Sequence, residues 1–325
     1  MKPGAPKYKQ IVASIEDAIH NGTLKKGDKL PSLNSVKIKH KLSRDTVLTA
    51  FNELKSRGII ESIVGKGYYV LTDDINVKRK IFLLFDELNS FKEDLYNGFL
   101  DNLGDNIQVD VFFHHFNYGV FSKLINDNIG AYSNYVIMPA NLKNATQVIV
   151  GLPKDKTYIL DQTHKELFEY PSIYQNFEKD VYKGLLKGLS LIKKYKKFVL
   201  FFNRKKQPYG ILDGFELFCS EYNFEFEIVA PLLDREPASG DIYVVFDDSS
   251  LIRIIRTIKE TDFEIAKDIG IISYNDSLLK EVVEGGITTI STDFNYMGKR
   301  LAEMILNNEF AQVENPNNLI VRKSL

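Results

Sequence analysis

The chain has 325 residues, 44% of them hydrophobic and 26% charged, with a single cysteine. It is long enough for two domains with a large core in at least one, ordinary in composition for a globular protein, and free of any run near the ~18 apolar residues of a membrane span. The net charge of −1 hides an asymmetry: residues 1–80 hold 16 Lys and Arg against 8 Asp and Glu, about +8, and residues 81–325 hold 26 against 35, about −9; a basic module on an acidic body fits an N-terminal part that meets a polyanion.

Met1-Lys-Pro-Gly-Ala-Pro6 carries no apolar signal segment, and the lone Cys219 leaves no intrachain disulfide; together they point to a reducing cytoplasm. Cys219 lies on an apolar helix pattern and reads as a core residue. Ile11, Val12, Ile15, Ala18 and Ile19 predict an amphipathic helix over 8–21, stopped by Asn21-Gly22. Ser32 is a natural N-cap for a short helix over 33–40, and Ser43 for a third over 44–57. The stripe Val47, Leu48, Phe51 and Leu54 turns the third helix toward the first two, and Gly58 ends it as a left-handed residue. Residues 59–64, the Gly65-Lys66-Gly67 tip and residues 68–71 predict a hairpin. Residues 1–72 therefore read as a winged helix–turn–helix (α+β), and the polar stretch 73–80 as a linker.

From residue 81 the pattern turns α/β. Apolar strands over 81–85, 109–113, 135–138, 157–160, 198–202, 226–229, 242–246 and 269–273 alternate with amphipathic helices. That order predicts mainly parallel sheets covered on both faces.

A helix that reads DNA shows its N-terminal face to base edges and buries the opposite face. Ser43, Arg44 and Thr46 stand at that exposed start. Arg44 suits a bidentate bond to guanine O6 and N7, about 1–3 kcal/mol of base discrimination. Helix-opening N–H groups at Ser32 and Ser43 suit phosphate oxygens. Lys66 can approach the minor groove or the backbone because Gly65 and Gly67 add little bulk, and Tyr8, Lys37 and Lys41 are further phosphate candidates. Taken singly, Ser-Arg-Asp-Thr is also a plain capped helix start, and Gly-Lys-Gly a plain hairpin turn. Their ordered spacing across residues 8–71 selects double-stranded DNA as the partner.

The succession Tyr8-Lys-Gln-Ile11, Gly22-Thr-Leu-Lys-Lys-Gly27, Lys29-Leu-Pro-Ser32, Leu42-Ser-Arg-Asp-Thr-Val47 and Gly65-Lys-Gly-Tyr-Tyr-Val70 resembles the DNA-binding domain of the GntR family of bacterial transcriptional regulators. The family's Pro-Ser-Glu-Arg, whose arginine touches DNA, stands here as Pro31-Ser-Leu-Asn34. The resemblance puts Asn34 at that contact, able to bond an adenine or a phosphate but lacking the charge. A second resemblance, to LacI/GalR-type effector domains of periplasmic sugar-binding-protein fold, is carried by Asp268-Ile-Gly-Ile-Ile-Ser-Tyr-Asn-Asp276, Gly286-Ile-Thr-Thr-Ile-Ser-Thr-Asp-Phe294, Met297-Gly-Lys-Arg-Leu-Ala302, Phe177-Glu-Lys-Asp-Val-Tyr-Lys-Gly184, Lys196-Lys-Phe-Val-Leu-Phe-Phe202 and Gly214. It implies that 81–325 is an effector-binding and dimerisation unit of two α/β lobes. The lobe near the DNA would take 80–163 and 292–308; the distal lobe would take 164–291 and the C-terminal tail. It also implies a homodimer acting as a repressor, with a small arabinose-like or fucose-like sugar as effector. Many relatives carry an arginine where Ile211 stands and an aspartate where Asn275 stands, so those contacts do not carry over.

Ligands of open α/β sheets sit beyond the carboxyl ends of strands. The polar residues there are Asp86 and Glu87, Asp161 and Gln162, Asn203 and Arg204, Asp247 and Asp248, and Asn275 and Asp276. A neutral polyol needs donors and acceptors with an aromatic face beside them. The expected ligand set is Asp86, Asp161, Asn203, Asp247, Asn275 and Asp276, with Phe85, Phe202, Phe246 and Tyr274 as stacking surfaces. The carboxylates argue against a phosphorylated sugar; Arg204, Lys205 and Lys206 keep it, or another small polar metabolite, as the alternative. None of His20, His40, His114, His115 and His164 has metal-ligand spacing, and no nucleophile elbow or dinucleotide fingerprint appears. No enzyme, metal or cofactor is expected, and His114-His115 is placed at a lobe surface or dimer contact. A transport-type solute-binding protein would share the two-lobed fold but lack the basic module and carry a signal peptide.

Overall fold

The computed structural model describes residues 6–230 and 235–325; residues 1–5, most of the expected signal-free start, lie outside them. Helices α1 (Lys7–His20), α2 (Leu33–His40) and α3 (Arg44–Ser56) close on a core that includes Ile11, Val36, Val47, Phe51 and Leu54. Ser32 Oγ accepts the Ser35 N–H and Ser43 Oγ the Thr46 N–H, so both expected caps are made. Lys41 breaks the chain between α2 and α3 with φ 53°, and Gly58 turns it after α3 with φ 72°. Strands β1 (Ile60–Ile63) and β2 (Gly67–Val70) pair antiparallel with Ile60 opposite Val70. Phe51 meets Tyr68 edge-on at 4.9 Å and seats this wing on α3.

The connector is short and held. Arg57 donates from Nε to Val77 O (2.9 Å) and from Nη2 to Ile75 O (3.2 Å), and pairs with Glu16 at 2.5 Å. Ser133 Oγ donates to Ser56 O. The end of α3 is thus docked on the body, and Arg79 and Lys80, expected in the linker, already belong to the first strand of the body.

The body runs β3 (Arg79–Phe85), α4 (Ser90–Leu100), β4 (Ile107–Phe113), α5 (Tyr118–Asn128), β5 (Asn134–Ile137), α6 (Ala145–Ile149), β6 (Thr157–Asp161) and β7 (Ser172–Tyr174). It continues with α7 (Phe177–Lys187), α8 (Leu189–Ile192), β8 (Lys197–Phe201), α9 (Tyr209–Glu221), β9 (Glu225–Val229), β10 (Asp241–Val245), α10 (Asp248–Lys259), β11 (Gly270–Tyr274), α11 (Leu278–Val282), β12 (Thr288–Thr292), α12 (Phe294–Leu306), β13 (Gln312–Glu314) and β14 (Asn317–Ile320). Two six-stranded sheets result. The near sheet, β13-β7-β6-β5-β3-β4, is parallel throughout. The distal sheet, β14-β12-β11-β10-β8-β9, is parallel except for β14. All eight expected strands are present within a residue or two of their expected ends.

The expected lobe boundary needs correction. β7 and β13 lie in the near sheet, so the near lobe runs on to Tyr174, and the C-terminal segment is divided between lobes. The chain crosses between lobes after β7, after β12 and after β13, and Asn315 ties the three crossings together. Its N–H bonds Tyr174 O, while its side-chain amide donates to Asp293 O and Thr292 Oγ1. Helices α4 and α12 pack at backbone range: a Cβ on Gly298 would stand 2.1 Å from Leu95 O. Only glycine allows that approach.

Candidate functional sites: a helix face and a cleft

In the N-terminal module Ser32, Asn34, Lys41, Ser43, Arg44, Gly65 and Lys66 are all exposed. Ser43, Arg44 and Thr46 share the first turn of α3, and the two serines open α2 and α3 as expected. Gly65 and Gly67 take φ 74° and 110°, so the hairpin tip depends on glycine and carries Lys66 outward. Thr46 is half-buried with its hydroxyl 2.8 Å from that of Ser43, which ties it to the cap. Tyr8 is partly buried against the core of the module.

Between the lobes lies a cavity of about 450 Å³, of the size that encloses a small ligand. It brings together five of the six expected ligand residues: Asp86, Asp161, Asn203, Asp247 and Asn275. Asp276 is outside it. Arg322 holds that carboxylate with two bonds of 2.7 and 2.6 Å; although burial opposes ionisation, these bonds keep the Asp276 pKa below the ordinary carboxylate range. The strand-end position was right, but the side chain turns back to the C-terminal segment. Of the expected stacking rings, Phe246 and Tyr274 line the cavity. Phe85 and Phe202 instead fill the cores of their lobes, because their strand faces point at helices. Phe91, Phe116, Phe177 and Phe294 supply the other aromatic walls.

The charge that sequence reasoning missed is Lys92. It rises from the first turns of α4, buried, with Nζ 3.6 Å from Asp86 Oδ1 and 3.5 Å from Asp161 Oδ2. Burial alone would lower its pKa; the attraction of Asp161 and Asp86 outweighs that and raises it. The signal was present: Lys92 shares the i, i+3, i+7 stripe of Leu95 and Phe99, where a core residue belongs. Asp247 caps α10 through the Ser250 N–H and hydroxyl. Asn203 Oδ1 accepts the Lys205 N–H. Asn275 is left-handed (φ 59°), and its buried Oδ1 has no protein partner. At the mouth, Lys206 of the distal lobe reaches Glu87 at 2.6 Å and lies 5.2 Å from the Phe116 ring; Arg204 and Lys205 are not in the lining. His114 is fully buried and donates from Nε2 to Met138 O, which corrects its expected surface placement. Among the described residues no helix is long and apolar enough to cross a membrane.

Comparison with known proteins follows the same division. The profile of "Bacterial regulatory proteins, gntR family" matches residues 7–70, and that of "Periplasmic binding protein-like domain" matches residues 191–325. The mannosyl-D-glycerate transport/metabolism system repressor MngR of Escherichia coli is 38% identical over 96 residues, 30% of this chain and 38% of that protein. The HTH-type transcriptional repressor YtrA of Bacillus subtilis is 31% identical over 100 residues, 31% of this chain and 73% of that protein. Both are transcriptional regulators rather than enzymes. The chain spans well under two thirds of MngR, and what it shares with either is about a third of its own length. The body is similar in fold to a LacI family regulator from Enterococcus faecium, with a TM-score of 0.60 at 17% identity, over 75% of this chain and 98% of that one. With its winged helix joined to a two-lobed periplasmic-binding-protein-like body, the chain belongs to the GntR family of bacterial regulatory proteins.

Proposed function

We propose that the chain is a DNA-binding transcriptional regulator, a repressor, whose operator affinity is set by a small sugar in the cleft. Residues 1–72 read DNA, the polar stretch that follows connects, and the body, whose first strand begins at Arg79, binds the effector and pairs with a second copy. The observation that carries this reading is one docked unit holding both a capped helix start with Ser43 and Arg44 exposed and a cleft between the lobes lined by carboxylates, amides and aromatic rings. Asn34, Lys41 and Lys66 with its flanking glycines add contacts to DNA, and Tyr8 and Ser32 reach the phosphates.

For the effector, Asp86, Asp161, Asn203, Asp247 and Asn275 present acceptors to hydroxyl groups beside Phe246 and Tyr274. The lining carries Asp86, Glu87, Asp161 and Asp247 against Lys92 and Lys206, which favours an uncharged ligand over a phosphorylated one. The E. faecium regulator was solved with bound ribose; that supports a monosaccharide, and an arabinose-like or fucose-like sugar is our choice. Leu278, Leu279 and Val282 expose an apolar face on α11, which suits a homodimer.

The test is anisotropy of labelled duplexes from upstream of the gene, at fixed salt, with and without a panel of free and phosphorylated sugars. Tight, salt-dependent binding altered by one free sugar is expected. Arg44→Ala should weaken binding by about 1–3 kcal/mol and relax preference at one base pair. Unchanged affinity and preference in that variant would remove Arg44 from base reading, and a response to sugar phosphates alone would overturn the effector class.

A further inference from the structure

Gln175 is the first residue after β7, on the crossover that leads into α7 of the distal lobe, and it is buried. Its Nε2 donates to Asp161 Oδ1 of the near lobe at 2.5 Å. Its Oε1 accepts the Tyr274 hydroxyl of the distal lobe at 3.3 Å. The chain of contacts continues on the near side from Asp161 to Lys92 and Asp86. On the distal side the Tyr274 carbonyl accepts from Lys280 Nζ, itself fully buried. Asp161, Gln175 and Tyr274 all line the cavity.

Each of these buried groups loses heavily if its partner leaves. Any rotation of the lobes about the crossovers would change the separation of Asp161 and Tyr274, and one side chain could not then hold both. A molecule bonding either residue in the cavity competes for the same atoms. The mouth contact between Lys206 and Glu87, by contrast, is solvent-exposed and screened. We propose that Gln175 is a positioning residue, a strut that couples the angle between the lobes to the shape of the ligand cavity. This extends the ligand-controlled reading and rests on it, but its test needs neither DNA nor sugar, so the two fail separately.

The full-length chain is labelled for single-molecule energy transfer through Lys123→Cys on the near lobe and Lys267→Cys on the distal lobe. Both lysines are exposed, and native Cys219 is fully buried. Gln175→Leu keeps the volume and removes both bonds; it should raise the ratio of open to closed molecules about fivefold or more. Tyr274→Phe should raise it about twofold, and the double variant should add little to Gln175→Leu. Gln175→Glu sets two carboxylates face to face and should open the lobes, whereas pairing it with Asp161→Asn reverses the polarity of the bond and should restore the parent distribution. A merely structural glutamine would not be rescued by that exchange. Parent-like distances in Gln175→Leu, or strict additivity with Tyr274→Phe, would overturn the proposal. If Gln175→Leu fails to fold, unchanged distances in Tyr274→Phe decide against it.

Discussion

Asp180 stands in the first turn of α7 with its carboxyl buried and Oδ2 without a hydrogen-bond partner. Burial and then repulsion from Glu314 push its pKa up to about 7, with Lys179 and Lys183 offsetting only part of the rise. An unfolded aspartate titrates near ~3.9. Between about pH 4 and pH 7 the folded state therefore holds a proton the unfolded state has released, and stability falls as pH rises through that window. Asp180→Asn is near-isosteric and cannot ionise, so it should exceed the parent by about 1–3 kcal/mol at pH 8 and match it at pH 4. Urea midpoints of the two proteins at both pH values measure this; an equal offset at pH 4 and pH 8 would mean that the carboxyl ionises freely. Nothing in Phe177-Glu-Lys-Asp180 announces such a residue, because an acidic first turn reads as a favourable helix start. Asp86, Asp161 and Asp247 were legible for the opposite reason. A parallel sheet sends all its strand ends to one edge, and a polar residue after an apolar run marks that edge. Asp276 obeyed the same rule and was lost to Arg322, a partner 46 residues away that no local pattern reveals.

Among the elements, those with a long, regular apolar period were legible, and the short ones were not. β7 and β13 have three residues each, and β14 is a polar antiparallel edge containing Asn317 and Asn318. None is long enough to establish an alternation, and β7 and β13 decide where the near lobe ends. Helix contacts were hidden as well. Gly298 could be recognised as part of a family-like motif, but its reason is spatial: α12 lies against α4 so closely that a methyl group would meet Leu95 O. Two effects compete at this position. Alanine is the better helix former by about 1 kcal/mol, whereas overpacking costs about 1–3 kcal/mol and here the obstacle is backbone that cannot swing aside. The clash should win, so Gly298→Ala should lower the unfolding midpoint. A raised midpoint in a thermal melt would mean that α4 and α12 are not held in contact in solution.

For the whole molecule, the division of charge was readable from composition, but the attachment of the two parts was not. A polar stretch over 73–80 reads as a linker, and a slack linker would let the cleft change shape without consequence for the DNA-reading helix. Instead, Arg57 at the end of α3 holds Ile75 O, Val77 O and Glu16, and Ser133 of the near lobe bonds Ser56 O. The connector is thus tied to the end of the recognition helix and the body bonds that same end, a path that a ligand needs if it is to act on DNA through differential affinity for two arrangements. Arg57 is far from the expected base contacts, so Arg57→Ala should leave operator affinity within a few-fold of the parent in the absence of sugar. It should also leave sugar affinity unchanged, because the cavity is untouched. The ratio of operator affinities with and without sugar, usually about 5-fold to 150-fold in coupled systems, should collapse toward one. Anisotropy titrations of one operator duplex at saturating and zero sugar give that ratio directly, and calorimetry of the sugar alone checks the cavity. If the ratio is retained while sugar affinity is normal, the signal leaves the body by another route. In the proposed homodimer, the interface between the copies would then be the candidate, because rotation there can separate paired recognition helices without using the connector at all.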